Sequence, residues 1–125
     1  MSLMIDVIVE EDFLRLRCSG HCSLADVTKV YSQVVSAALE HDRSRVLIDA
    51  ILVDGELTTM ERYASSEFIA SDIRQRALGK ITRIAVCGRE PLIDPQRFGE
   101  TVAVNRGVNA KASTDVNEAV AWLRQ

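Results

Sequence analysis

The segment Val46-Leu47-Ile48-Asp49 is the main evidence in this sequence for the class of fold. Its apolar run is too short for a helix, and a short apolar run that stops at a polar residue is typical of a strand buried on both faces. Segments with helical spacing flank it, from Ser23 to about Glu40 and from Thr58 towards Gly79. A buried strand between two helices indicates an α/β protein with parallel strands.

Helix-start signals mark both flanking helices. Ser23 is a typical N-cap residue with Asp26 three positions later, and Thr58 with Glu61 has the pattern of a capping box. Residues 51–57 are then the loop between the central strand and the second helix. Apolar residues at helical spacing continue that helix: Met60, Tyr63, Ala64, Phe68 and Ile73.

Two more helices follow in the second half of the chain. Asp94 before Pro95 predicts the start of the third helix, and Gly107 predicts its left-handed end. The fourth helix starts after Thr114 or Asp115. Its apolar stripe is expected to pack on the sheet and consists of Val116, Ala119, Val120 and Leu123.

Alternating apolar and polar residues predict strands over residues 4–9, 13–18 and 108–112, and residues 81–87 are predicted as a further strand. The first two form an antiparallel hairpin, whereas each later strand follows a helix and should run parallel to its predecessor. The expected fold is therefore one α/β domain of residues 1–125. It is a sandwich with a five-stranded mixed sheet and four helices in the order ββαβαβαβα.

Composition excludes several classes of function. The chain has 125 residues, 47% apolar and 26% charged, which is typical of one soluble globular domain. Its net charge of −3 and scattered aromatic residues argue against nucleic acid as a partner. No apolar run approaches the roughly 18 residues that span a membrane. The start Met1-Ser2-Leu3-Met4 lacks the basic segment of a secretory signal, so we expect a cytoplasmic protein without stable membrane insertion.

Two clusters of residues could hold a metal, but neither has a known ligand spacing. The sequence around Cys18, His21 and Cys22 lacks the paired spacing of a zinc site. Asp49, Asp54 and Glu56 follow no magnesium pattern, and acidic residues near a helix start also favour its positive dipole end. We therefore expect no metal and no cofactor, and free, reduced thiols at Cys18, Cys22 and Cys87.

The chain lacks the common catalytic motifs. It contains no Gly-x-Gly-x-x-Gly, no Gly-x-x-x-x-Gly-Lys and no Gly-x-Ser-x-Gly sequence. An enzyme would have to use residues at the carboxyl ends of the parallel strands, where ligands bind in open α/β sheets. Asp49, Cys87 and Arg89 are the candidates for that alternative. We expect a protein that is not an enzyme.

Three segments, taken with the order of elements, carry a resemblance to a known family. The first is Val46-Leu47-Ile48-Asp49 with Gly55 and the helix start near Thr58. The second runs from Arg97 to Ala103 and on through Arg106-Gly107, and the third runs from Thr114 to Leu123. Together they resemble the SpoIIAA-like family, which belongs to the STAS and CRAL-TRIO-like group of α/β domains.

This resemblance implies a regulatory, protein-binding domain. The best-understood STAS domains are anti-sigma-factor antagonists, which bind a kinase-like partner and are switched by phosphorylation of a serine at the start of the second helix. Their Asp-Ser-Ser-Gly pattern is absent here, where residues 54–59 read Asp-Gly-Glu-Leu-Thr-Thr. Thr58 and Thr59 are the only candidates for phosphorylation at this place, and both are more simply N-cap residues. The usual serine switch is therefore not expected.

The resemblance also implies where a partner, such as a signalling regulator, would bind; a homo-oligomer is compatible with it too. The expected contact surface is the loop before the second helix and the exposed side of that helix: Asp54, Gly55, Glu56, Leu57, Thr58, Thr59, Glu61 and Arg62. The CRAL-TRIO side of the resemblance implies an alternative. In it the protein carries or senses an apolar small molecule or lipid in a pocket reached past Met60 and Phe68.

Overall fold

The computed structural model describes residues 3–125, so that Met1 and Ser2 lie outside the described residues. Strands and helices occur in the order ββαβαβαβα, as predicted. They are β1 Met4–Val9, β2 Leu14–His21, α1 Leu24–His41, β3 Arg45–Asp54, α2 Thr59–Arg76, β4 Arg83–Gly88, α3 Phe98–Asn105, β5 Ala110–Ser113 and α4 Val116–Leu123.

The strands form one mixed sheet whose spatial order follows the sequence, β1-β2-β3-β4-β5. β1 pairs antiparallel with β2, and β2 to β5 are all parallel to their neighbours. Right-handed crossovers between consecutive neighbours place their helices on the same face of the sheet, so α1, α2 and α3 share one face. The remaining helix, α4, covers the opposite face, where it packs on β3, β4 and β5.

Two apolar cores result from this layering. The larger lies between the sheet and α1 and α2, and includes Leu16, Ile48 and Val34. The smaller lies beneath α4 and includes Leu47 and Leu123. Neighbouring residues of β3 thus enter opposite cores, as expected of a strand buried on both faces. Each such buried side chain contributes about 1.5–3 kcal/mol to folding.

The third strand is longer than the sequence predicts, since β3 continues to Asp54 through part of the predicted loop. A β-bulge explains the difference. Arg17 pairs with Asp49 but Ser19 pairs with Leu52, so β3 holds one extra residue opposite β2. The bulge breaks the alternation of inward and outward side chains, and Leu52 is left exposed. Beyond the bulge, the alternation of apolar and polar residues therefore no longer predicts the strand.

The buried face of α2 is not the one that its apolar spacing marks. Met60, Tyr63 and Phe68 are exposed, whereas Ser65 and Ser66 are buried. The two hydroxyls donate hydrogen bonds to the backbone carbonyls of Arg62 and Gly99, so their burial leaves no unpaired donor. Because serine and glycine are small, α2 and α3 can pack closely along this line.

The third helix begins at Phe98, three residues later than predicted. Asp94 and Pro95 lie in a turn before it, and the Asp94 carboxylate accepts a hydrogen bond from the backbone N–H of Phe98 at 2.8 Å. The predicted end is confirmed, because Gly107 has a φ of 88° directly after the helix. At α4 the capping residue is Asp115, whose carboxylate accepts the N–H groups of Asn117 and Glu118.

Candidate functional site

The loop between β3 and α2 is held in place by the end of β2. The side chains of His21 and Asp54 approach to 2.7 Å, and the backbone N–H of Cys22 donates to the Asp54 carbonyl at 3.0 Å. Gly55 has a φ of 101°, and a Cβ atom there would lie 3.1 Å from the His21 ring. Only glycine satisfies both conditions without strain. The loop therefore has a defined shape.

The start of α2 is a complete capping box. The Thr58 hydroxyl accepts a hydrogen bond from the N–H of Glu61 at 3.1 Å, and the Glu61 carboxylate accepts one from the N–H of Thr58 at 2.9 Å. Leu57, also on the expected contact surface, is buried in the larger core. These side chains hold the helix start together, so three of the candidate binding residues have structural roles.

Arg62 is likewise engaged with the protein itself. Its guanidinium donates hydrogen bonds to the carbonyls of Pro91 at 2.6 Å and Leu92 at 3.3 Å. This arginine ties α2 to the loop that follows β4. It lies half-buried at the edge of the candidate surface rather than at its centre.

The exposed part of the site combines an acidic loop with an apolar row. Asp54, Glu56, Thr58 and Thr59 are exposed on the loop and the helix start. Beyond them Met60, Ala64 and Phe68 are exposed at i, i+4 and i+8 of α2, which places them in one line along the helix. We call these three residues the α2 row. Sequence reasoning missed this row, because apolar residues at helical spacing usually mark a buried face.

Tyr63 is fixed beside the α2 row by a residue from the end of α3. Arg106 donates a hydrogen bond to the Tyr63 hydroxyl at 2.7 Å, and its guanidinium lies 4.8 Å from the ring centroid. Arg106 also pairs with Glu67, and this hydrogen bond lowers the pKa of the Glu67 carboxyl below its usual value. Both residues stay charged at neutral pH, so the Tyr63 ring is held in a fixed position.

An apolar cavity lies beneath α2, but it is not reached past Met60 and Phe68 as the carrier alternative expects. The cavity has a volume of about 140 Å³ and lies between the sheet, α2 and α3. Ser65 and Ile69 line it from α2, whereas Met60 and Phe68 do not line it. The helix turns those two residues outward, so the expected route past them does not lead into the cavity.

The residues of the enzyme alternative do not form a catalytic group. Asp49 and Cys87 are partners in the β3–β4 register, but the Asp49 carboxylate pairs with Arg15 at 3.5 Å and Arg17 at 3.7 Å. Burial, with the nearby Asp49 charge as a smaller cause, raises the pKa of the Cys87 thiol to about 11. Arg89 donates to the Ile51 carbonyl instead. Cys87 is therefore protonated at neutral pH and is not an activated nucleophile.

Cys18 and Cys22 are free thiols that line the cavity. Burial raises the pKa of each to about 11. Within residues 3–125, no three His, Cys, Asp or Glu side chains are arranged to hold a metal ion. Over the same residues, no helix has the length and apolar character that crossing a membrane requires.

Comparisons with known proteins identify the fold. No family model matches the sequence, and no curated protein is similar to it. Among solved structures, the chain is similar to an anti-sigma factor antagonist from Mycobacterium paratuberculosis, with 13% sequence identity and a TM-score of 0.63. The match covers 99% of this chain and 96% of that one. At the level of the fold, the resemblance to the SpoIIAA-like family is therefore confirmed, and the predicted α/β architecture is that of the antagonist.

Proposed function

We propose that this protein is a non-enzymatic regulatory module that binds another protein through the acidic loop and the α2 row. The observation that carries the proposal is that α2 exposes large apolar side chains while two of its four fully buried residues are serines. Met60 is 74% exposed while Ser65, five residues later, is 3% exposed. A helix at the surface of a monomer normally has the opposite arrangement. Grouped large apolar side chains at a surface mark sites of interaction.

The negative charge beside the α2 row indicates which kind of surface the partner presents. Asp54 and Glu56 are exposed at one end of the row, and the nearby arginines Arg62 and Arg89 donate to backbone carbonyls. A complementary partner presents an apolar groove with basic side chains at the end that meets the loop. By analogy with the antagonist of the same fold, this partner is a protein of the anti-sigma-factor kind.

The module works without the serine phospho-switch in this proposal. No serine occupies residues 54–59. At Thr58 the hydroxyl already accepts the N–H of Glu61, and the Glu61 carboxylate lies against the Thr58 backbone. A phosphate on Thr58 would meet that carboxylate as a like charge. Thr59 is exposed and is the more accessible phosphorylation candidate.

The lipid-carrier alternative has less support. Pockets for drug-sized ligands measure about 300–1,000 Å³. The cavity beneath α2 measures about 140 Å³, too small to enclose a lipid tail. The cavity is instead suited to a much smaller molecule.

The proposal is tested by affinity capture from the lysate of the source organism, followed by binding of the purified captured protein. A Met60→Asp, Phe68→Asp double variant should weaken that binding at least about tenfold, because truncating or charging central apolar anchors costs more than 1.4 kcal/mol. Leu78→Asp is the matched control, since Leu78 is 75% exposed but lies beyond the end of α2. Equal binding by the double variant, or equal loss in the control, would contradict the proposal.

A further inference from the structure

The cavity beneath α2 has the size and walls of a small-molecule site. Its volume of about 140 Å³ is close to that of engineered apolar cavities that bind benzene. Its walls are mainly aliphatic, with Ile48 and Ile84 from the sheet and Ile69 from α2. A compact apolar body the size of one aromatic ring would fit, whereas a longer one would not.

Two arginines that line the cavity are not paired with an acidic side chain. Arg62 and Arg97 both line it, and neither forms an ion pair with any carboxylate of residues 3–125. Their hydrogen bonds go to backbone carbonyls, which do not neutralise a guanidinium. An anionic group at this point would therefore form charge-assisted hydrogen bonds.

Each of the two carboxylates that line the cavity accepts a hydrogen bond from the backbone. Asp94 accepts the N–H of Phe98 at 2.8 Å, and Glu100 accepts the N–H of Ala112 at 2.7 Å. Each carboxylate thus serves the backbone around α3 rather than an arginine at the cavity. The backbone N–H groups do not neutralise Asp94 and Glu100, but neither carboxylate forms an ion pair with Arg62 or Arg97.

Tyr31 supplies a further polar contact on the opposite side. It lines the cavity from α1, and its hydroxyl has no hydrogen-bond partner among residues 3–125. Burial raises the pKa of this phenol to about 12, so it stays neutral and able to donate. Tyr31 is half-buried, so solvent can accept this hydrogen bond, and the charge-assisted contacts of a ligand rest on the two arginines.

We propose that this cavity binds a small organic acid, in which a compact apolar body the size of an aromatic ring carries one carboxylate. The apolar body lies against the isoleucines, and the carboxylate faces the free donors of Arg62 and Arg97. This goes beyond the proposed partner binding, because the cavity lies under α2 and the α2 row lies on its outer side. The ligand site therefore lies apart from the α2 row, and Arg62, at the edge of the candidate surface, also lines the cavity.

Sodium benzoate is a suitable probe, with benzyl alcohol as the uncharged ring and sodium acetate as the charge without a ring. Titration followed by amide NMR should give saturable shifts with benzoate, about tenfold weaker binding of benzyl alcohol, and none with acetate. Benzoate shifts should be largest around Tyr31 and Ser66. Absence of saturable benzoate shifts, or equal affinity for benzyl alcohol, would overturn the proposal.

Variants of neighbouring residues locate the site. Ser65→Leu fills the cavity and should abolish benzoate binding, whereas Ala64→Leu adds the same side chain on the exposed side and should leave it unchanged. Ala103→Val fills the cavity from α3 and replaces Ser65→Leu if that variant fails to fold.

Arg97→Met tests the charge contact. It should weaken the binding of benzoate about tenfold and leave the binding of benzyl alcohol unaffected. Full affinity in a folded cavity-filling variant would contradict the site. The titration needs no partner, so its failure would leave the proposed partner binding unaffected.

Discussion

At the scale of single residues, the geometry of the candidate surface depends more on backbone conformation than on the chemistry of the side chains. Gly55 combines a φ of 101° with a close approach to His21. The loop can therefore end β3 and enter α2 without moving the His21 and Asp54 pair. A change at this position acts on folding and on the shape of the surface together.

Gly55→Ala should lower the free energy of unfolding by about 1–3 kcal/mol, through backbone strain and the contact with His21. Gly79→Ala is the control, because Gly79 has a φ of 76° but an added Cβ would meet nothing within 4 Å. Urea unfolding should show a larger loss for Gly55→Ala than for Gly79→Ala. Equal losses would mean that the His21 contact contributes nothing.

The buried thiols make stability depend on alkaline pH. Burial raises the pKa of Cys18, Cys22 and Cys87 from 9.0 to about 11 in the folded protein. The unfolded chain therefore loses these protons first, so stability is complete below pH 9 and falls as the pH rises towards 11. Urea unfolding at a series of pH values measures this. A Cys87→Ala variant should show a shallower fall than the wild type, and an unchanged slope would contradict the effect of burial.

At the scale of elements, the sequence predicts order and type well because each element has its own local signal. The capping box at Thr58 and the left-handed Gly107 both lie where their patterns indicate. Errors arise where long-range packing decides. The bulge in β3 depends on its pairing with β2, and the buried side of α2 includes Ser66, which packs against Gly99 of α3. The spacing of apolar residues along the sequence indicates neither of these two features.

Thr58→Ala should destabilise the protein by about 1 kcal/mol, because it removes the acceptor for the Glu61 N–H. Thr59→Ala is the matched control, since no side-chain hydrogen bond joins Thr59 to another residue between 3 and 125. Denaturant unfolding should give a change near zero for Thr59→Ala. Equal effects would exclude a specific role of the capping box.

At the scale of the whole molecule, the consecutive strand order divides the protein into two unlike faces. Three crossover helices lie on one face and α4 on the other, so α2 presents an outer side free of contacts with the sheet. The sequence predicts the elements and the mixed sheet but not the strand order, and the resemblance implies an apolar pocket but not its lining. That lining and the α2 row depend on how α2 rotates against α3. The resemblance implies this region as the contact surface, whereas the residues exposed there follow only from the packing.

The central claim is that the acidic loop and the α2 row form the contact surface for a protein partner. Amide hydrogen exchange of the protein, alone and bound to its purified captured partner, tests this most directly. We predict new protection confined to residues 54–68, with exchange in α4 and β1 unchanged. Protection confined to α4 or to the β1 edge, with residues 54–68 exchanging as in the free protein, would contradict the claim.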